Sequence, residues 1–205
     1  MLKPILVISA TLFGSAQAGV IYNEATSGDL PNSGPTPKVL TVGAGSNQIF
    51  GTTGNVGGTD RDYFTFSVPA GLQLTAITVL PGTASGGLFS FIGVQAGTQV
   101  TLPTNTTTAA GLLGWWHYSP VDINTNILPE MAIPANGSSG FKPPLSSGNY
   151  AFWVQDFSPG TFAYGFDFTV AAAVPEPGAF TMAALALGVF MLGVFMLARR
   201  RHEPK

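Results

Sequence analysis

The chain has 205 residues, of which only 9% are charged, and its formal net charge is −2. It contains no cysteine, which excludes disulfides, thiol catalysis and thiolate metal sites. The 26 glycines and 16 prolines favour turns and short strands over helices.

The first 18 residues have the three parts of a secretory signal peptide. Lys3 supplies a positive start, residues 5–13 are mostly apolar, and residues 16–18 (Ala-Gln-Ala) have the small-x-small pattern that signal peptidase accepts. We expect cleavage after Ala18, which leaves Gly19 as the mature N-terminus. The alternative interpretation is an N-terminal helix that belongs to the core.

Residues 19–173 are long enough for one domain with its own core. They contain eight carboxylates and only three basic residues, Lys38, Arg61 and Lys142, so their formal charge is −5. This acidic balance argues against a nucleic-acid partner, because such binding needs a basic surface. Metal cations, neutral glycans and other proteins stay open as partners.

Alternating apolar and polar residues predict strands throughout this region. The clearest strand is residues 63–68, in which Phe64, Phe66 and Val68 share one face. Further strands are predicted at residues 39–42, 47–50, 72–80, 88–94, 112–118, 150–155 and 164–170. Because no amphipathic helix separates them, we expect an all-β fold, an antiparallel β-sandwich. Residues 145–150 also give Tyr150 the spacing of a tyrosine corner, whose phenol bonds the backbone upstream.

Residues 60–71 (DRDYFTFSVPAG) place an Asp-rich turn before a Phe-rich strand and a Pro-Ala-Gly turn. This arrangement resembles the start of bacterial pre-peptidase C-terminal-type domains, and the resemblance extends over residues 60–170. A long insertion between residues 97 and 144 departs from the usual pattern. The resemblance implies a jelly-roll-like sandwich that serves as an accessory or carbohydrate-associated extracellular module, not as a catalyst.

An aromatic cluster at residues 115–118 is the candidate ligand-binding surface. The faces of Trp115, Trp116 and Tyr118 are of the kind that stack on sugar rings and anchor binding surfaces. Because neighbouring strand residues point to opposite faces, only one tryptophan of the pair can join a given platform. The alternative is that one tryptophan packs in the core and the other shields it.

Acidic residues near the start of the clearest strand are candidate metal ligands. Asp60 and Asp62, together with Asn55, could give oxygen ligands to Ca²⁺, which takes 6–8 of them. The alternative is an acidic turn that keeps the strand end soluble. We expect no other cofactor.

Catalytic motifs are missing from residues 19–173. His117 is the single histidine there, and no Gly-x-Ser-x-Gly, His-Glu-x-x-His or phosphate-binding loop pattern occurs. We therefore expect a non-enzymatic protein. A hydrolase that uses two of the eight carboxylates is the remaining alternative.

The C-terminal segment, residues 174–205, has three parts in a fixed order. Pro175, Glu176 and Pro177 form an extended motif, because proline disfavours helix at and before its own position. Residues 179–198 are uncharged and long enough to cross a bilayer as a helix. The basic tail, residues 199–205, opens with three consecutive arginines that should stay in the cytoplasm: Arg199, Arg200 and Arg201.

This tripartite tail resembles the PEP-CTERM sorting signal of bacterial envelope proteins. The resemblance implies that an exosortase recognises Pro175, Glu176 and Pro177, while the arginines orient the membrane-held precursor. It also implies a Gram-negative, exopolysaccharide-producing source. The expected protein is therefore exported, processed by signal peptidase and exosortase, and delivered to the cell surface or extracellular matrix. The alternative is a plain single-pass anchor, which would need no Pro-Glu-Pro motif.

Overall fold

The computed structural model of the chain describes residues 19–87 and 90–174. The predicted signal peptide, residues 1–18, lies outside the described residues. The same holds for the tail from Pro175 onward, with its Pro-Glu-Pro motif, predicted membrane helix and basic end. Within the two described ranges, no helix is both long and apolar enough to span a membrane.

Short strands dominate the described part of the chain. The strands are β1 (Gly19–Asn23), β2 (Lys38–Val39), β3 (Asn47–Asn55), β4 (Thr59–Val68), β5 (Leu72–Val79), β6 (Ser90–Ala96), β7 (Gly114–Tyr118), β8 (Gly148–Gln155) and β9 (Gly160–Ala172). The helical elements are single turns: α1 (Glu24–Ser27), α2 (Leu128–Met131) and a 3-10 turn at Pro120–Asp122.

The strands pair in the order β5-β9-β3-β4-β8-β6-β7, and each pair along this path is antiparallel. In addition, β1 pairs with β3 and β2 pairs with β4, both in parallel. Because β3 and β4 pair only next to their turn, at residues 54–55 and 59–60, the path divides there into two groups. We call β1, β3, β5 and β9 the first sheet, and β2, β4, β6, β7 and β8 the second sheet. The predicted all-β antiparallel class is confirmed, as a sandwich or barrel-like arrangement of sheets.

Four phenylalanines join the two sheets, and we call them the phenylalanine seam: Phe64 and Phe66 on β4, Phe152 on β8 and Phe168 on β9. Phe152 stacks on Phe64 and Phe66, with ring centroids 5.3 and 5.0 Å apart. Phe168 of the first sheet meets these three rings edge-on at 5.0–5.7 Å. All four rings are fully buried, and such pairs add about 0.5–1.5 kcal/mol each beyond their buried area.

Local patterns miss part of the first sheet. They do not predict β1, and they predict only residues 47–50 of β3. The rest of β3, residues 51–55, is rich in glycine and threonine and shows no apolar alternation, yet residues 51–54 pair with β9. Conversely, the strand predicted at residues 39–42 is shorter in the structure, where β2 ends at Val39. Leu40 and Val42 are buried in the core but lie outside any strand.

Part of the segment between residues 97 and 144 covers the outer face of the second sheet. Val100 and Leu102 pack there on Tyr63, Ala151 and Trp153, in an apolar cluster distinct from the main core. β6 and β8 therefore have apolar residues on both faces, one toward the seam and the other toward this covering segment.

Tyr150 forms the predicted tyrosine corner at the start of β8. Its hydroxyl donates a hydrogen bond to the backbone carbonyl of Ser146 over 2.9 Å. By contrast, the hydroxyl of Tyr63 is buried without a hydrogen-bond partner. The two tyrosines thus differ in whether their hydroxyl contributes to the fold.

Replacing Tyr150 by Phe should lower the free energy of unfolding by about 1 kcal/mol, the net value of one such hydrogen bond. Tyr63→Phe is the matched control, because it removes a buried hydroxyl that has no partner. It should leave stability unchanged or raise it. Urea unfolding of both variants measures the difference, and equal losses would contradict the corner's role.

Candidate functional site

A groove opens on the outer face of the second sheet, and we call it the aromatic groove. It encloses about 160 Å³, room for one small ring-shaped ligand. Its lining consists of Phe91, Leu102, Thr106, Thr107, Thr108, Ala109, Leu112, Trp115, His117, Asn136, Trp153 and Gln155.

Strand alternation places the floor of this groove. On β8, Trp153 points away from the core because its neighbours Phe152 and Val154 point into it. On β6, Gly93 lies opposite Trp153 on one side and Trp115 on the other. A Cβ at Gly93 would press on the side chains of Leu112 and Phe91, at about 2.9 Å from each. The glycine therefore leaves room for the side chains of Phe91 and Leu112, and Phe91 contacts both indoles.

Ring contacts hold the aromatic floor in place. Phe91 stacks on Trp115 with centroids 6.1 Å apart and meets Trp153 edge-on at 5.3 Å. His117 meets Trp115 edge-on at 5.0 Å. The indole N–H of Trp115 donates to the carbonyl of Ala135 over 2.9 Å. These contacts fix the orientation of Trp115 before any ligand arrives.

The remaining wall is uncharged and combines polar residues with three apolar ones, Leu102, Ala109 and Leu112. Asn136 donates from its side-chain amide to the carbonyl of Thr107 over 3.1 Å, and the Thr106 hydroxyl donates to the carbonyl of Thr108 over 3.0 Å. Partial desolvation lowers the pKa of His117, which favours its neutral imidazole. None of the described residues lining the groove is Asp, Glu, Lys or Arg. The groove therefore suits a neutral ligand with an apolar face and hydroxyl groups.

The predicted aromatic surface divides between the groove and the core. Trp115 lies in the groove, whereas Trp116 points to the other side of β7, packs against the main core and keeps a buried indole N–H without a hydrogen-bond partner. Tyr118 is buried and meets Phe166 edge-on at 5.0 Å, so it is not part of a surface. The sequence analysis does not assign Trp153 and Phe91 to this surface, although alternation with Phe152 and Val154 places Trp153 on the outer face.

Three carboxyl groups meet near the N-terminal end of β4. One oxygen each of Glu24, Asp29 and Asp62 lies within 4.8 Å of the other two, and we call this set the carboxyl cluster. Asp62 shares the inward face of β4 with Phe64 and is fully buried, while Asp29 is exposed. The hydroxyl of Tyr164 on β9 donates to Asp62 Oδ2 over 2.7 Å.

Backbone donors hold Glu24 in this cluster. Its Oε1 accepts from the N–H of Leu30 over 3.0 Å, and its Oε2 accepts from the N–H of Thr52 over 2.7 Å. The cluster thus links the segment after β1 to β3, β4 and β9. Of the predicted pair of metal ligands, only Asp62 belongs to this cluster. Asp60 accepts a hydrogen bond from the side-chain amide of Asn32 over 3.3 Å, and its charge contributes to the raised pKa of Asp62.

The electrostatics of the cluster favour a neutral Asp62. Burial, followed by the negative charge of Glu24, raises the pKa of Asp62 to about 9. Burial also raises the pKa of Glu24, against the lowering effect of its two backbone donors. Without a cation, Asp62 therefore carries a proton at neutral pH.

The chain matches no protein-family model, no curated protein and no solved structure. The geometry of the aromatic groove and of the carboxyl cluster, together with the sequence of the tail, therefore carries the functional argument.

The raised pKa of Asp62 should make stability fall as pH increases when divalent cations are removed with EDTA. In the unfolded chain an Asp titrates near pH 4, so between about pH 4 and 9 the unfolded state loses a proton that the folded state keeps. Urea unfolding across this range measures the slope, and Asp62→Asn should flatten it. A slope that persists in this variant would assign it to another group.

Proposed function

We propose that this chain is an exported, non-enzymatic protein of the bacterial cell surface or extracellular matrix. The observation that carries the proposal is the tail. It combines Pro-Glu-Pro at residues 175–177, an uncharged run at residues 179–198 and three arginines at residues 199–201. In this proposal signal peptidase releases the N-terminus, the tail holds the precursor in the cytoplasmic membrane, and an exosortase cuts near Pro175.

The position of the last strand supports such processing. β9 ends at Ala172, so only two residues separate it from Pro175. Cleavage near the motif would leave every strand intact, and the domain would be released as a folded unit. We propose that this domain is a jelly-roll-like sandwich, followed by a single membrane helix until the tail is cut.

The aromatic groove favours a second candidate function, carbohydrate binding. Trp115 offers a partly exposed aromatic face above Phe91 and the buried Trp153, while threonines and Asn136 offer neutral hydrogen-bonding groups beside it. Sugars present a similar combination of apolar ring faces and hydroxyl groups, and binding pockets use a few placed polar groups within an apolar lining. We propose that the ligand is a matrix exopolysaccharide and that the protein comes from a Gram-negative bacterium.

The sorting proposal predicts that the Pro-Glu-Pro motif controls processing. Glu176→Ala, or alanine at both Pro175 and Pro177, should leave the precursor in the membrane with its basic tail attached. The measurement is the intact mass of the protein recovered from membrane, cell surface and medium.

Glu203→Gln is the matched control for the loss of one carboxylate, since it lies beyond the arginines, and it should be processed normally. Unchanged processing of the motif variants would contradict the sorting proposal and favour a plain anchor. It would leave the groove's candidate function untouched.

The carbohydrate proposal predicts that Trp115→Ala weakens binding of the native exopolysaccharide at least about tenfold, because a central aromatic anchor is lost. Trp116→Phe is the control, since Trp116 points to the other side of β7. Tryptophan fluorescence titrated with the polysaccharide measures both. A wild-type protein whose fluorescence does not respond, or equal affinities in the two variants, would overturn the proposal.

A further inference from the structure

We infer that Glu24, Asp29 and Asp62 form a Ca²⁺ site that joins the segment after β1 to the strands of both sheets. Two observations carry this inference: the convergence of three carboxyl groups, and a buried carboxyl oxygen of Asp62 that has no hydrogen-bond partner.

The spacing of the oxygens fits one shared ion. Ca²⁺ binds oxygen at about 2.3–2.6 Å, so two oxygens on the same ion lie at most about 5 Å apart. One oxygen of each of the three carboxyl groups lies within 4.8 Å of the others. The set contains only oxygen donors, without histidine or cysteine, which suits a hard cation rather than zinc.

The buried oxygen of Asp62 is the second and independent observation. Asp62 is 0% exposed, and its Oδ2 accepts from Tyr164, whereas its Oδ1 has no hydrogen-bond partner. Leaving a buried polar atom unpaired is costly, and a buried carboxylate is normally paired or bound to a metal. Without a cation, Asp62 keeps a proton beside the Glu24 carboxyl group, with which it shares a side-chain hydrogen bond. A cation within the cluster would displace that proton and supply the partner of the ionised Oδ1.

Nearby basic side chains are engaged elsewhere. The Lys38 ammonium lies over the ring of Tyr22, 5.8 Å from its centroid. The Arg61 guanidinium donates to Gln155 over 3.3 Å and lies over the ring of Phe157. These contacts hold Lys38 and Arg61 to other groups. A doubly charged ion would offset most of the negative charge of the three carboxylates.

The site is held in place and open on one side. The backbone N–H groups of Leu30 and Thr52 orient Glu24, and the hydroxyl of Tyr164 orients Asp62. Glu24 Oε1 and Asp62 Oδ2 each accept one hydrogen bond and keep a second lone pair for an ion, whereas Glu24 Oε2 accepts two, from the N–H and the hydroxyl of Thr52. Asp29 is exposed, so an ion can enter from solvent on its side and complete its 6–8 ligands with water. This open coordination favours Ca²⁺ over Mg²⁺, which demands a stricter octahedral geometry.

The test is calorimetric titration of the EDTA-treated protein, as recovered from cells, with CaCl₂, together with thermal unfolding. We expect one saturable ion per chain and a melting temperature that rises by several degrees at saturating Ca²⁺. Asp62→Asn should weaken Ca²⁺ binding at least about tenfold, and Glu130→Gln, which neutralises a carboxylate outside the cluster, should bind as the wild type does.

Asp29→Asn guards against a folding defect in the Asp62 variant, because Asp29 is exposed and its replacement leaves the core untouched. It should also weaken Ca²⁺ binding while the far-ultraviolet circular dichroism stays native. Absence of saturable binding in the wild type would overturn the inference. Weak binding of several ions that is unchanged in both Asp variants would also overturn it, since that result describes screening of an acidic surface.

Discussion

The phenylalanine seam is the contact on which the rest of the domain depends. Phe168 comes from the first sheet and meets Phe64, Phe66 and Phe152 of the second, so the two sheets are fixed to each other at this point. The seam also fixes which face of β4 points inward. Because side chains alternate, an inward Phe64 and Phe66 force Asp62 inward and Tyr63 outward. A shift of one residue would reverse all four and expose the rings, so the register is strongly specified.

Both candidate sites follow from this alternation. On the outer face, Tyr63 and Trp153 stack at 5.6 Å, and the segment around Val100 and Leu102 covers them. The aromatic groove is the part of that face that the covering segment leaves open, beside Trp115. On the inner face, the apolar core ends at Asp62, where the strand continues but the packing turns to carboxyl groups.

The sequence predicts the elements whose pattern is local. β4 from Phe64 onward and β9 show alternation of apolar and polar residues, β8 is a run of apolar residues, and Tyr150 shows the spacing of its corner. Local patterns do not show which residues, distant in sequence, contact each other in the fold. Alternation separates Trp115 from Trp116, but only the pairing of β7 with β6 shows that Trp115 faces the groove and Tyr118 the core. Likewise, Asp62 lies 38 residues after Glu24, and only folding of the glycine-rich β3 between them brings the two carboxyl groups together.

If the chain is exported and the carboxyl cluster binds Ca²⁺, export would change how firmly the N-terminal segment is held to the domain. β1 begins at Gly19, the predicted mature N-terminus, and is held to the domain by pairing with β3 and by Glu24. Before an ion binds, burial of Asp62 beside Glu24 opposes folding at neutral pH, as the raised pKa of Asp62 requires. Extracellular Ca²⁺ modules commonly bind at about 10⁻⁴–10⁻³ M, weak enough to stay unfilled where the free ion is scarce. A site of that affinity would lock the N-terminal segment onto the sheets only after the chain has left the cytoplasm.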